Sequence, residues 1–202
     1  MANVSRPSGF RIVGSLTSAK YNGKTELYYV ASAADEILAG DIVKSGGGAD
    51  ANGIPTADLC GASDVPRGVV VGVLHSKFDP AGNLTTGSVA LDLPAAAQIA
   101  ASGAGYILVN TDPNVIMEVE TSNGTPTAAD VGLNISHANG ARTSATVVSP
   151  ATIDFGTEAT TSTLNFRLLG FVRRPNNEIG AAAKMLVCFN VHDLKSVGVA
   201  GV

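Results

Sequence analysis

The sequence has no tryptophan, only two cysteines and few charged residues, which make up 15% of its 202 positions. Soluble domains usually carry about 25% charged residues, so a single chain of this composition would expose much uncharged surface. We therefore expect part of that surface to be covered by partner proteins. No run of about 18 apolar residues, the length that spans a bilayer, occurs anywhere in the chain.

The net charge of −4 argues against a nucleic-acid-binding protein that relies on phosphate contacts. The first seven residues have no apolar core, so we expect no secretory signal. Without export, Cys60 and Cys188 are expected to be buried thiols rather than a disulfide.

Gly23-Lys24-Thr25 matches the end of a nucleotide-phosphate loop, but the first glycine of that motif would fall at Ser18. The residues that follow, Leu27–Val30, are aromatic and β-branched, which favours a strand rather than the required helix. Asn22-Gly23 is typical of a type I′ hairpin turn. We therefore interpret this stretch as a turn that precedes a strand.

The clearest strands lie late in the chain. Leu164, Phe166 and Leu168 alternate with polar residues, and Gly170 interrupts the pattern, which predicts a bulge. In the next segment Met185, Val187 and Phe189 share one face. The turn chemistry of residues 173–183 predicts a loop between the two strands.

Further strands are predicted earlier in the chain. Residues 106–109 and 115–120 are joined by Asn110–Asn114, which predicts a hairpin. Residues 67–78, interrupted at Gly72, are another strong strand candidate. Shorter candidates are residues 41–45 and 88–93, and residues 151–156 are a weaker one. Residues 94–103 carry the signals of one short helix. Residues 44–68 and 121–144 are interpreted as exposed loops, with a possible small strand at 131–135.

Strands at this spacing, with turn residues between them, predict an all-β protein, an antiparallel β-sandwich or barrel of jelly-roll-like kind. We expect an extended N-terminal arm, residues 1–12, and a single β-rich domain, residues 13–202. The arm contains Pro7 and Gly9, so it does not favour a helix. It could add a strand to the edge of a partner's sheet, anchored by Phe10 and Ile12, or it could be a frayed terminus.

No residue pattern points to catalysis. His75, His137 and His192 do not have metal-ligand spacing, and the carboxylates at Asp41, Asp50, Asp58 and Asp64 do not have that of a calcium loop. His192 and Asp193 precede Ser196, but adjacent strand residues face opposite sides of a sheet. We therefore predict no enzymatic activity, no catalytic, cofactor or metal site, and no cofactor. Arg173-Arg174 is the only basic doublet and is either a solvated strand edge or a contact to an acidic partner.

Several segments, in order along the chain, resemble a group of structural proteins of tailed-phage virions. These segments are MANVSRPSGFRIV, YNGKTELYYV, AGDIV, RGVVVGV, YILVNTDPNVIMEVE and the 34-residue stretch from Thr161 to Leu194. Proteins of this group act as cement or decoration proteins on the phage head. The resemblance implies a β-rich protein that binds the outside of the assembled capsid in many copies, staples neighbouring major capsid subunits and has no catalytic residues.

The expected partners are therefore the major capsid protein and further copies of this chain, as a dimer or trimer, with no direct nucleic-acid or membrane contact. The expected location is the capsid exterior, after synthesis in the bacterial cytoplasm. The expected contact residues are Val4, Arg6, Pro7, Phe10, Ile12, Arg173 and Arg174.

Two other functions remain open at this stage. The chain could be a different virion component, although a shell subunit of the usual phage fold would carry a long spine helix. It could also be a host-glycan-binding β-module, although sugar-binding platforms favour exposed tryptophan or tyrosine, and the chain has only four tyrosines.

Overall fold

Thirteen strands form the described part of the chain, which a computed structural model gives as residues 3–17, 23–31, 36–74, 98–99, 104–143, 146 and 148–195. In chain order they are β1 (Arg11–Ser15), β2 (Glu26–Val30), β3 (Ile37–Leu38), β4 (Ile42–Ala49), β5 (Pro55–Leu59), β6 (Gly68–Leu74), β7 (Gln98–Ile99), β8 (Gly105–Asn110), β9 (Val115–Ser122), β10 (Asn134–Ala138), β11 (Thr152–Ala159), β12 (Phe166–Phe171) and β13 (Lys184–Phe189). A 3₁₀ turn at Ala128–Asp130 is the only helical element among these residues. The prediction of an all-β sandwich or barrel is confirmed.

The strands close into two rings. The first barrel has the order β2-β5-β4-β6-β8. In the second barrel β9, β11, β10, β12 and β13 follow one another, and a pairing between β13 and β9 closes the ring. Strand β1 pairs with β9, and β3 pairs with β7 in a separate two-stranded sheet. Most pairings are antiparallel, whereas β2–β5 and β9–β11 are parallel.

The late strands alternate between apolar and polar residues because one face of each strand lines the interior of the second barrel. Phe166, Leu168, Met185, Val187 and Phe189 are all buried, as are alternate residues of β9. The register of β12 against β13 shifts between Leu168 and Gly170, so the predicted bulge is confirmed. The hydrophobic residues that share a face in the sequence therefore fill one core.

The first residues of β4 and β6 are buried on both faces, which explains the apolar start of β6. Val69 contributes to the core of the second barrel, whereas its neighbour Val70 fills the interior of the first. In β4, Ile42 likewise belongs to the core of the second barrel and Val43 to that of the first. The cores of the two barrels are thus only one strand apart.

The N-terminal segment is docked on this body. Phe10 is 2% exposed, and its backbone N–H donates a hydrogen bond of 2.8 Å to the carbonyl of Gly40. Ile12 is half-buried against the same core, and β1 is paired with β9. Within one chain, therefore, Phe10 and Ile12 anchor the segment to its own fold. The expectation that they anchor a free arm to a partner is corrected.

Two local predictions were wrong for reasons of pairing. Strands β8 and β9 do not form a hairpin, because β8 pairs with β2 and β6 in the first barrel while β9 belongs to the second. The strand after Gly23 is confirmed as β2, but it pairs with β8 and β5 rather than with β1. Asn22, and with it the predicted type I′ turn, lies outside the described residues.

The predicted loop at residues 44–68 is instead largely the β4–β5 hairpin. A Cβ atom at Gly46 would lie 2.7 Å from Oγ1 of Thr56, so a glycine is needed where the Thr56 side chain crosses β4. That hydroxyl accepts a hydrogen bond from Gly48 N–H and donates one to Gly48 carbonyl, both at 3.1 Å. Gly46, one of the glycines that suggested a loop, thus allows close approach of two strands.

Three other predictions lie partly outside the described residues. Gln98 and Ile99, inside the predicted helix, form strand β7, while residues 94–97 and 100–103 are not described. The predicted strand at 88–93 is not described, and the one at 67–78 is described only to Leu74. Within the described residues, no helix is long and apolar enough to cross a membrane.

Candidate partner-binding face

The N-terminal segment and the β12–β13 loop together form one face of the second barrel. We call the surface formed by residues 3–7 and residues 171–184 the arm–loop face. The two stretches come from opposite ends of the chain, and Asn3 and Glu178, which are hydrogen-bonded, are 175 positions apart.

Asn3 binds the loop through both ends of its side-chain amide. Its Nδ2 donates hydrogen bonds to the carbonyl oxygens of Glu178 at 2.8 Å and Ala181 at 3.0 Å. Its Oδ1 accepts one from the Glu178 backbone N–H at 2.9 Å. One side chain thus ties the start of the chain to two positions of the loop.

Asn177 has the same role inside the loop. Its Nδ2 donates to the carbonyl oxygens of Val172 at 2.7 Å and Lys184 at 2.9 Å, and its Oδ1 accepts from the Lys184 N–H at 2.7 Å. The amide therefore closes the base of the loop where β12 ends and β13 begins. With Asn3, it fixes the loop backbone without any regular secondary structure.

Two buried glutamates of β9 lie beneath the face. Glu120 is 2% exposed and accepts hydrogen bonds from the Ser5 hydroxyl at 2.7 Å and the Arg6 backbone N–H at 2.9 Å. Glu118 forms an ion pair with Arg174, and the Lys184 ammonium lies 4.0 Å from the same carboxylate. The carboxylates that would be costly to bury alone are thus satisfied by the arm and the loop.

The face contains two clefts, and residues of the loop line both. The first, of about 630 Å³, lies between the N-terminal segment and the loop and is lined by Val4, Arg6, Arg174 and Lys184 among others. The second, of about 580 Å³, lies against β12 and is lined by residues that include Val131, Arg173 and Ile179. Arg174, Pro175 and Asn177 line both clefts, so the two are contiguous.

The structure brings together four of the seven contact residues predicted from the sequence. Val4, Arg6 and Arg174 line the first cleft, and Arg173 and Arg174 line the second. Pro7 is exposed at the rim of the face. Phe10 and Ile12 belong to the core region instead.

Sequence reasoning missed Asn3, Asn177, Glu118 and Glu120. The two glutamates alternate with buried Val and Met residues in an otherwise apolar strand. This alternation indicates that the glutamates share the second face of the strand, which other parts of the chain could cover. The asparagines carried no comparable signal, since a loop asparagine is common in any turn.

His137 and His192 do not line the clefts of this face. His137 Nε2 lies 2.9 Å from the Cys60 carbonyl, and burial lowers the pKa of this histidine. His192 is also buried, and desolvation lowers its pKa to about 4. His75 and Ser196 lie outside the described residues.

Three of the four aspartates of the glycine-rich region are bound to separate partners. Asp41 pairs with Arg142 at 2.8 Å, Asp64 with Lys44 at 2.8 Å, and Asp50 accepts a hydrogen bond from the Tyr106 hydroxyl at 2.8 Å. In the part of the chain that the structure describes, no three His, Cys, Asp or Glu side chains are grouped so that they could hold a metal ion.

The two cysteines are confirmed as buried free thiols. Desolvation raises the pKa of Cys60 to about 12, so the thiol is protonated and unreactive.

Neither family models, nor characterised proteins, nor solved structures show a match to this chain.

Proposed function

We propose that this protein is a structural component of a tailed-phage virion that binds the outer surface of the assembled capsid and links neighbouring major capsid subunits. The proposal draws on the resemblance of ordered segments to phage cement and decoration proteins. The observation that carries it in the structure is the convergence of Val4, Arg6 and Arg174 on one cleft. These residues were selected from the sequence as partner contacts although they lie at opposite ends of the chain.

The order of the arm–loop face supports a binding role. A surface that is already fixed in its bound shape loses little conformational entropy when a partner binds. Here Asn3 and Asn177 together form six hydrogen bonds to the loop backbone, three for each side chain. The exposed side chains of the face are thus presented on a backbone that is held in place.

A protein that links the subunits of a shell needs repeated contacts rather than one tight contact. A subunit that touches two or three capsid subunits gains avidity of roughly 10² to 10⁴, because the second contact is effectively intramolecular. Each contact would need to bury about 800 Å² per partner. Dimers or trimers of this chain on local symmetry axes would extend the same effect. The protein would act on the capsid exterior after synthesis in the bacterial cytoplasm.

Heating of purified particles tests the proposal. We expect particles that lack this protein to release their DNA at a lower temperature than complete particles, since the capsid subunits are then not cross-connected. Adding the purified protein back should restore the higher temperature. DNA release can be followed with an intercalating dye, and electron cryo-microscopy would locate the added density on the shell.

An equal release temperature with and without the protein would contradict the stabilising role. Density on a tail or fibre, rather than on the shell, would indicate the other virion role considered from the sequence.

A further inference from the structure

The exposed charges of the arm–loop face are three arginines, Arg6, Arg173 and Arg174, and one carboxylate, that of Glu178. Arg6 and Arg173 are exposed, and neither forms an ion pair with a carboxylate in the described part of the chain. Arg6 lines the first cleft and Arg173 lines the second, and the loop contributes residues to both. The protein as a whole carries a net charge of −4, which makes this concentration of arginines a local feature.

The other cations of the face are already paired. Arg174 and Lys184 both lie against Glu118, whose carboxylate is buried beneath them. A partner that approaches the face therefore meets Arg6 and Arg173 as the unpaired positive groups. Guanidinium groups bind carboxylates in a planar, two-bonded geometry that ammonium groups cannot match.

Exposed apolar side chains lie next to the arginines. Val4 is 70% exposed and lines the first cleft, while Ile179 is 56% exposed and Val131 is 39% exposed in the second. A complementary partner would thus offer carboxylates and apolar side chains in alternation. Because the two clefts are contiguous around the loop, an occupant that fills both has to be elongated.

Main-chain pairing at β1 is a less suitable mode of contact. Among the described strands β1 pairs only with β9, but its register shifts between Ile12 and Gly14, and Arg11 is exposed on the strand. A bulge and an edge charge are features that oppose the addition of another strand. The contact is therefore expected to depend on side chains at the clefts.

We propose that the arm–loop face binds an extended, carboxylate-bearing segment of the major capsid protein, with Arg6 and Arg173 as the residues that select it. This inference rests on the proposed function, because it names the part of the capsid protein that the same face would contact.

Binding to empty capsid shells that lack this protein tests the inference. The wild type is compared with Arg6→Gln/Arg173→Gln, and Arg11→Gln serves as a matched control because Arg11 is an exposed arginine outside the face. We expect the double variant to bind at least about tenfold more weakly at low salt and to lose much of the salt dependence of binding. The control should bind within about twofold of the wild type. Equal far-UV circular dichroism and melting temperatures show that the variants fold.

A chemical cross-link identifies the segment. In the variant Arg173→Lys the introduced amine can be coupled to a neighbouring carboxylate by a carbodiimide. Mass spectrometry of the shell complex should then find Lys at this position joined to an Asp or Glu of the capsid protein, within a segment that also carries apolar residues.

The outcomes separate the two proposals. If the wild type does not bind shells, the proposed function fails. If the wild type binds and the double variant binds equally well, the carboxylate inference fails while the function stands. Two further results would overturn the inference. One is arginine-dependent binding of the protein to a short DNA duplex but not to shells. The other is a double variant that loses self-association without losing shell binding.

Discussion

Phe10 connects the N-terminal segment to the centre of the second barrel. Its ring stacks on Phe166 with centroids 4.8 Å apart and meets His137 edge-on at 6.3 Å. Gly9 precedes it with φ of +67°, and a Cβ atom there would lie 2.6 Å from the Gly40 carbonyl oxygen. The segment can reach this position only because the residue before Phe10 has no side chain.

We expect Phe10→Ala to lower the free energy of unfolding by about 3–5 kcal/mol, because it leaves a cavity in a closely packed core. Chemical denaturation followed by far-UV circular dichroism measures the change. Val4→Ala is the control, since that side chain is 70% exposed and its removal should change stability by less than about 0.5 kcal/mol. Similar values for the two variants would show that Phe10 is not a core residue in solution.

His192 makes stability depend on pH. The imidazole is buried beside the Phe189 ring at 4.8 Å, and desolvation, with the nearby charges of Lys195 and Arg67, lowers its pKa from 6.5 to about 4. The unfolded chain therefore binds a proton that the folded chain does not between these values. Stability is fully present above about pH 6.5 and falls as the pH drops towards 4, by up to about 3 kcal/mol.

The variant His192→Asn tests this contribution. Its amide oxygen can replace Nδ1 as acceptor of the Leu194 N–H bond, which is 3.0 Å long. We expect the free energy of unfolding of this variant to fall less steeply than that of the wild type between pH 6.5 and 4. Parallel curves would mean that the histidine is not held neutral in the folded protein.

The β12–β13 loop is ordered by one side chain at its base. We expect Asn177→Ala to destabilise the loop by about 1–3 kcal/mol, because three hydrogen bonds to backbone groups are lost. Hydrogen exchange at the Lys184 amide should accelerate, since that N–H donates to Asn177. Asn176→Ala is the matched control, because Asn176 is an exposed neighbour.

Unchanged exchange at Lys184 in Asn177→Ala, or equal acceleration in Asn176→Ala, would contradict this role. Under the proposed function, a loosened loop should also weaken binding to capsid shells, since ordering the loop would then cost free energy at the moment of contact.

The two barrels are joined by a buried ion pair. Asp41, between β3 and β4, is fully buried and pairs with Arg142, which follows β10 and whose side chain is 4% exposed. Asp41 also accepts hydrogen bonds from the Ser149 hydroxyl at 2.5 Å and the Leu38 N–H at 2.8 Å. Arg142 in turn donates to the Glu36 carbonyl at 2.6 Å.

We expect Arg142→Ala to cost about 3–5 kcal/mol, because it leaves the Asp41 carboxylate buried without a counter-charge. Lys44→Ala, which removes an ion pair whose side chains are about one-third exposed, should cost less than about 1 kcal/mol. Tyrosine fluorescence reports mainly on the first barrel, which contains Tyr28, Tyr29 and Tyr106, and far-UV circular dichroism reports on both. The two signals should shift together, since β4 and β6 contribute residues to the cores of both barrels. Separate transitions would show that the barrels unfold independently.

The sequence by itself determined the local features of this protein. Side-chain alternation placed Met185, Val187 and Phe189 on one buried face, and a glycine within a strand pattern marked the bulge at Gly170. These features depend on a residue and its neighbours in the chain. The exposed Arg173 and Arg174 could be chosen as contacts for the same reason, because two adjacent arginines can be recognised in the sequence alone.

Only the tertiary structure decided which strands lie side by side. Alternation shows which residues of a strand are buried, but not what covers them, so the separation of β8 from β9 into two barrels left no local signal. The same holds for Phe10, because the sequence around it could not show whether its side chain is buried in the core or exposed as a contact to a partner. Asn3 and Asn177 became part of the candidate site because a hydrogen bond depends on distance in space, which the barrels set by bringing the two ends of the chain together.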